Sequence, residues 1–192
     1  MVEALGRGEP ARAVPAPAAA PSAAAELQAL SSKPVLYVAN LDDGESEPAA
    51  ALVAHARHQM AGCIGVSARI EAELAELPAD QAVEMRSELG LAESGLERLV
   101  RAAYELLDLV TFFTAHRGSE ARARALGRGL TAWDAAGEVH TEIQAGFVRA
   151  EVIGWRELVQ AGGYGNARNR GLIRTEGRDY VVQDGDVITI RH

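Results

Sequence analysis

Two short apolar runs, Val35-Leu36-Tyr37-Val38-Ala39 and Cys63-Ile64-Gly65-Val66, restrict this chain more than any other feature. Neither alternates polar with apolar residues. Both read as strands buried on two faces, which is the habit of parallel sheets. Between them, Pro48 to Met60 is Ala-rich and helical in pattern. Strand, helix, strand at this spacing is a right-handed crossover. The first run stops at the polar loop Asn40-Leu41-Asp42-Asp43-Gly44, and the second is closed by Ser67-Ala68.

Helices follow over Ile70 to Leu77, stopped by Pro78, and over Ala79 to Leu89, stopped by Gly90. Their acidic residues, Glu71 through Glu88, read as solvated faces. Ser94-Gly95-Leu96-Glu97 is a capping box. It opens a third helix whose apolar positions Leu96, Leu99, Val100, Ala103, Leu106 and Leu107 keep one face of a 3.6-residue period. After Asp108 the texture changes. Val110 to Thr114 and Ala121 to Leu126 read as a β-hairpin, and Thr131 caps a helix through His140. Phe147 to Ile153, Leu172 to Arg174, Tyr180 to Val182 and Val187 to Ile190 read as further strands between Gly and Asp turns. A compact mixed sheet crossed by one helix is a β-grasp pattern. Upstream, Pro10, Pro15, Pro17 and Pro21 forbid a continuous helix. Residues 1–32 are therefore expected to form a poorly ordered Ala/Pro-rich lead-in, with one helical turn around Ala23 to Leu30.

Among 192 residues, 48% are apolar and 24% charged, which is the balance of a soluble globular chain. The net charge of −8 disfavours general attraction to nucleic acid. The charge is uneven, however: residues 1–108 hold 8 basic and 17 acidic groups, and residues 109–192 hold 11 and 10. Only the second half could offer phosphate a local basic patch. The single cysteine, Cys63, excludes an internal disulfide and a Cys-based zinc site. In its strand it reads as a small core residue. His55 and His58, three apart on a helix, have no third metal ligand nearby. No apolar stretch reaches the roughly 18 residues of a membrane span, and the prolines interrupt any signal core. A cytoplasmic location is the expectation.

The segments K-P-V-L-Y-V-A-N (Lys33 to Asn40), I-E-A-E-L-A-E-L (Ile70 to Leu77) and T-F-F-T-A (Thr111 to Ala115) occur in that order. They are followed by T-A-W-D-A-A-G-E-V-H-T-E-I-Q-A-G-F-V-R-A-E-V-I (Thr131 to Ile153) and E-G-R-D-Y-V-V-Q-D-G-D-V-I (Glu176 to Ile188). Together they resemble the C-terminal portion of the YchF-type Obg-like ATPases, P-loop proteins of the translation-factor class. The resemblance implies an α/β fold. Residues 33–108 would be the terminal strand-helix-strand part of a Ras-like parallel sheet, and residues 109–192 a TGS domain, a ubiquitin-like β-grasp.

A P-loop reads G-x-x-x-x-G-K-[S/T], and its amides and lysine hold the phosphates. The sole lysine here, Lys33, precedes a proline, and no glycine spacing fits. The resemblance places the phosphate loop, the magnesium ligands and the switches upstream of residue 1. The chain is accordingly expected to be a truncated or wrongly started copy that does not hydrolyse nucleotide alone, because phosphoryl transfer rests on those parts.

By the same resemblance, Asn40-Leu41-Asp42-Asp43 occupies the family's base-reading N-x-x-E slot, with Leu41 at the position that is lysine in N-K-x-D GTPases. Asp43 stands in the carboxylate slot, which leaves the choice between ATP and GTP open. Ser67 and Ala68 match a second base-contacting loop and also suit a helix N-cap. The expected cofactor is ATP, with magnesium ligands outside this chain. Arg168, Arg170, Arg174 and Arg178, with Tyr164 and Tyr180, combine charge with flat rings, as single-stranded RNA requires. Arg122, Arg124 and Arg128 add charge on a strand and its turn, and His140 could contact a ligand or serve a cap. Two functions follow: a purine-nucleotide binder represented by its base edge and TGS domain, or a stand-alone TGS module for ribosomal RNA or a translation partner. A non-functional fragment, with residues 33–108 partly molten, is the third reading.

Overall fold

The computed structural model describes residues 2–15, 26, 28–42, 44–115 and 120–192. These form two compact units, Met1–Leu107 and Asp108–His192.

In the first unit, β1 (Leu36–Asn40) and β2 (Gly62–Val66) pair in parallel, with Leu36 opposite Gly62 and Asn40 opposite Val66. A parallel pair needs a crossover, and α2 (Ala50–His58) supplies it. A short helix, α1 (Val2–Gly6), stands at the start of the chain. After β2 come α3 (Ala68–Ala75), α4 (Ala79–Glu88) and α5 (Gly95–Leu106). Ser67 caps α3 by accepting from the Ile70 amide, and Ser94 and Glu97 form the expected reciprocal box at α5.

Two readings of this unit require correction. The strands are not buried on both faces: β1 is largely half-buried, and Val38 is 50% exposed. The cause is that, among the described residues, each strand has a single strand neighbour. The apolar stripe of α5 forms the expected helix and stands largely exposed. Leu96 is 66% exposed and Val100 49%. Finally, residues 2–15 are not featureless. They hold α1 and a 3-10 turn, Ala11 is 2% exposed, and Arg12 donates to the Gln59 carbonyl. Pro10 stands immediately before the turn, where its fixed φ is compatible. The helical turn read at Ala23 to Leu30 falls mostly outside the described residues, and a 3-10 turn occupies Leu30–Ser32.

The second unit is a five-stranded mixed sheet. Its strands are β3 (Leu109–Ala115), β4 (Ala121–Gly127), β5 (Arg149–Gly154), β6 (Arg174–Glu176) and β7 (Asp186–Arg191), in the order β4-β3-β7-β5-β6. Only β3 and β7 run parallel. The helix α6 (Ala132–Val139), capped reciprocally by Thr131 and Asp134, covers one face. Its Ala132, Ala135 and Ala136 pack with Val110, Phe112, Leu126, Val152 and Ile188. Alanine on the helix lets it approach the sheet closely enough for Phe112 to be fully buried. The helix ends before His140, whose extended backbone separates it from α7 (Thr141–Ala145).

Elsewhere the sequence reading is displaced. The strand expected at Leu172 begins at Arg174. Tyr180 to Val182 forms one bridge, Val181 to Thr131, rather than a strand. The Val182 amide donates to the Leu130 carbonyl, and the Gln183 amide donates to the Asp186 carboxylate, which turns the segment away from the sheet. Three helices had no forecast: α7 and, after β5, α8 (Trp155–Gln160) and α9 (Tyr164–Asn169). The last two are six residues long, separated by Gly162 and Gly163 at positive φ, and too short to show an apolar period. They cover the opposite sheet face through Leu158, Ala161 and Ala167 against Ile153 and Val187.

Helices depend on packing for most of their stability, so the two units are expected to differ in amide exchange. Core amides of Asp108–His192 should be strongly protected and those of α5 weakly. Uniformly high protection in both units would contradict this. Phe112→Ala should remove about 3–5 kcal/mol from the second unit, read as a lowered denaturant midpoint.

Candidate functional site

Parallel pairing brings the two loops that follow β1 and β2 to one end of the strands, where ligands bind in open α/β sheets. Asn40 links them directly. Its side-chain oxygen accepts from the Ala68 amide at 3.0 Å, so Asn40, Ser67 and Ala68 are brought together. Ser67 is occupied as the α3 cap, with the Ile70 amide at 3.4 Å. Leu41 plays another part. It is 8% exposed, its amide donates to the Val66 carbonyl at 3.0 Å, and its side chain lies over Gly65. A Cβ at Gly65 would come within 2.7 Å of a Leu41 methyl, so any larger residue would require the Leu41 side chain to shift. The Asp42 amide donates to Glu45 at 3.2 Å, which folds the loop back. Asp43 lies outside the described residues.

Beside these loops is a cavity of about 720 Å³, lined by Leu41, Glu45, Glu47, Pro48, Ser67 and Arg98 among others. Cys63, expected in the core, is half-buried and lines it too. Glu71 and Glu93 add two more carboxylates. Glu71 is not on a solvated face as read from the sequence: it accepts from the Gly95 amide at 2.7 Å. Arg98 is the cation in the lining, and it donates to the Gly65 carbonyl at 3.0 Å and pairs with Glu93 at 3.5 Å. Four carboxylates against one committed guanidinium repel a triphosphate. The described residues offer a flat base apolar walls and hydrogen-bonding groups, but no phosphate cradle. His55 turns to Tyr37, with Nε2 at 3.4 Å from the hydroxyl, and His140 caps α7 by accepting from the Glu142 amide.

In the second unit, the sheet divides the aromatic–arginine residues into two sets. Arg174 stacks over Tyr180 at 5.5 Å, and Tyr180 donates to the buried Asp186 at 2.8 Å. Burial, then the Asp186 bond, pushes the Tyr180 phenol up to about 12. Arg178 donates to the Phe147 carbonyl. Tyr164 and Arg168 belong to a different cluster, around Glu151. Tyr164 donates to Glu151 at 2.7 Å, Arg168 at 3.0 and 3.1 Å, and Arg191 at 3.0 and 3.3 Å. Arg170 is exposed. Sequence reasoning missed Glu151 and Arg191, which lie 40 residues apart and meet only through the pairing of β5 with β7. Glu151 carried a signal, a carboxylate inside the apolar run Ala150-Glu151-Val152-Ile153, whereas Arg191 is the last residue of β7 and carried none.

Residues 109–192 match the YchF-GTPase_C family, described as a protein of unknown function (DUF933). The chain is 40% identical over 197 residues to the "Ribosome-binding ATPase YchF" of Bacillus subtilis, covering all of this chain and 54% of that protein. It is 43% identical over 175 residues to the protein of the same name from Haemophilus influenzae, covering 86% of this chain and 48% of that one. Sequence and fold alike relate this chain to the YchF family. In structure it is similar to the Schizosaccharomyces pombe YchF GTPase, with a TM-score of 0.78, 23% identity, and coverage of 97% of this chain and 50% of that one. It thus spans about half the length of the YchF proteins it matches.

Hydrogen bonds from Arg191 and then Tyr164 lower the Glu151 carboxyl from 4.5 to about 2. A carboxyl depressed by folding contributes stability above its unfolded value and loses it as pH falls toward its folded value. The second unit should therefore lose stability between about pH 4.5 and 2. Glu151→Gln should cost about 3 kcal/mol at neutral pH, because it leaves two guanidiniums without their carboxylate, and should flatten that acid limb. Denaturant melts from pH 7 to 2 measure both effects.

Proposed function

We propose that this chain carries the base-reading edge of a YchF-type purine-nucleotide site on residues 33–108, the C-terminal part of a Ras-like domain, followed by a TGS β-grasp domain on residues 109–192. The observation that carries this reading is the Asn40–Ala68 hydrogen bond. It fixes the two sequence-predicted loops against each other beside a cavity large enough for a base. Asn40 and Asp43 would contact the base, with Ser67 and Ala68 beside it and Leu41 acting from beneath as packing. ATP is the expected nucleotide, and Asp43 in the glutamate slot keeps GTP in contention.

The acidic lining and the missing G-x-x-x-x-G-K-[S/T] sequence argue that phosphates are held by residues other than these, with magnesium. The chain alone would then bind a base edge without hydrolysing nucleotide. The relatives' name, ribosome-binding ATPase, supports a cytoplasmic setting and a ribosomal partner.

A second reading, favoured by the basic tilt of residues 109–192, is that the TGS domain touches ribosomal RNA without catalysis. It would bind independently of nucleotide.

Calorimetric titration with ATP and separately GTP, each with magnesium, tests the first reading. Binding weaker than about 1 mM is expected for both, because the phosphates carry most of the affinity in such sites. Micromolar binding of ATP would contradict the division between base edge and phosphate machinery.

A further inference from the structure

Arg149 on β5 and Arg191 on β7 stand directly opposite each other in the sheet. Like charges so placed are destabilising unless an anion lies between them. The strand register puts Arg149, Glu151 and Ile153 on one face with Val187, Thr189, Arg191 and Thr175. Helices α8 and α9 pack on the Ile153 and Val187 end. Among the described residues, the other end is polar. Arg149 is exposed, and the side chains of Arg168 and Arg191 keep 50% and 33% of their surface.

Glu151 is the single carboxylate that the strand register places on this face. Its side chain is 9% exposed and fully engaged by Tyr164, Arg168 and Arg191. Arg168 uses only Nη2, and Arg191 uses Nε and Nη2. A guanidinium has five N–H donors in a rigid fork, so each retains Nη1 for another acceptor. Arg149 makes no side-chain bond among the described residues. Three guanidiniums against one buried carboxylate leave a local excess of two positive charges in a chain of net −8.

We propose that Arg149, Arg168 and Arg191 form a phosphate-binding surface for an RNA backbone, with Glu151 as the positioning residue that presents two of the three. Fixed forks suit phosphate oxygens. The solvent exposure of all three guanidiniums suits an extended polyanion rather than an enclosed small ligand. This assignment rests on the second reading above and replaces its sequence-derived patch with residues that the fold assembles.

The test is fluorescence anisotropy of the full 192-residue chain with a labelled 20-nucleotide single-stranded RNA across a salt series. Arg149→Glu should weaken binding about tenfold, the scale of a lost charge-assisted hydrogen bond, without lowering the melting temperature, because a carboxylate opposite Arg191 replaces a like-charge pair. Arg149→Ala should reduce the slope of log affinity against log salt by about 0.7, one single-strand phosphate contact, and Arg149→Lys should restore it. Arg122→Glu, on the opposite face, should change affinity far less. Wild-type affinity in Arg149→Glu and Arg191→Gln, with RNA still bound, would overturn this surface and leave the RNA reading standing. No retention of RNA by the unaltered chain at low salt would overturn both. Displacement by polyglutamate as effective as by unlabelled RNA of equal charge would assign the surface to an acidic protein instead.

Discussion

The parallel pairing of β1 with β2 is the constraint on which the first unit depends. Register fixes Asn40 opposite Val66, so the chain leaves both strands at one end, and one side chain can join the two loops. An antiparallel pair would send them to opposite ends. The pairing also explains Leu41, whose side chain lies over Gly65 in space that a Cβ there would partly take. The meeting of the two loops is therefore a consequence of backbone geometry, and the Asn40 side chain refines a position already set.

The second unit is organised around a different constraint. A five-stranded sheet with a packed layer on each face has little room for polar groups, yet Glu151 and Asp186 are both buried. Each is satisfied by a tyrosine and arginine arrangement: Tyr164 with Arg168 and Arg191, and Tyr180 with Arg174. Burying a charge is costly unless it is paired and hydrogen-bonded. These carboxylates consequently fix where the surrounding arginines point. The arginines are part of the fold before they are available to a ligand.

What the sequence made legible follows the range of each interaction. The caps at Ser94 and Thr131 were readable because their donors and acceptors lie three residues apart. The crossover was readable because two apolar runs flank an Ala-rich helix. Burial was less so: the apolar period of α5 specifies a helix, but a period does not supply a neighbour to bury Leu96 or Val100. The Tyr180 segment has β-forming residues, yet its hydrogen bonds to Asp186 and Leu130 take it out of the sheet. The two six-residue helices after β5 had no period to detect. The Glu151 cluster needs strand register, which single-sequence patterns cannot provide.

The claim that matters most is that Asn40, Ser67 and Ala68 form one base-facing edge. The direct measurement is backbone amide chemical-shift mapping of the labelled chain with millimolar adenosine, a ligand without phosphates. The account predicts shifts concentrated at Asn40, Leu41, Glu45, Ser67 and Ala68, and lost in Asn40→Ala. Shifts confined to Asp108–His192, or none at saturating adenosine, would contradict it.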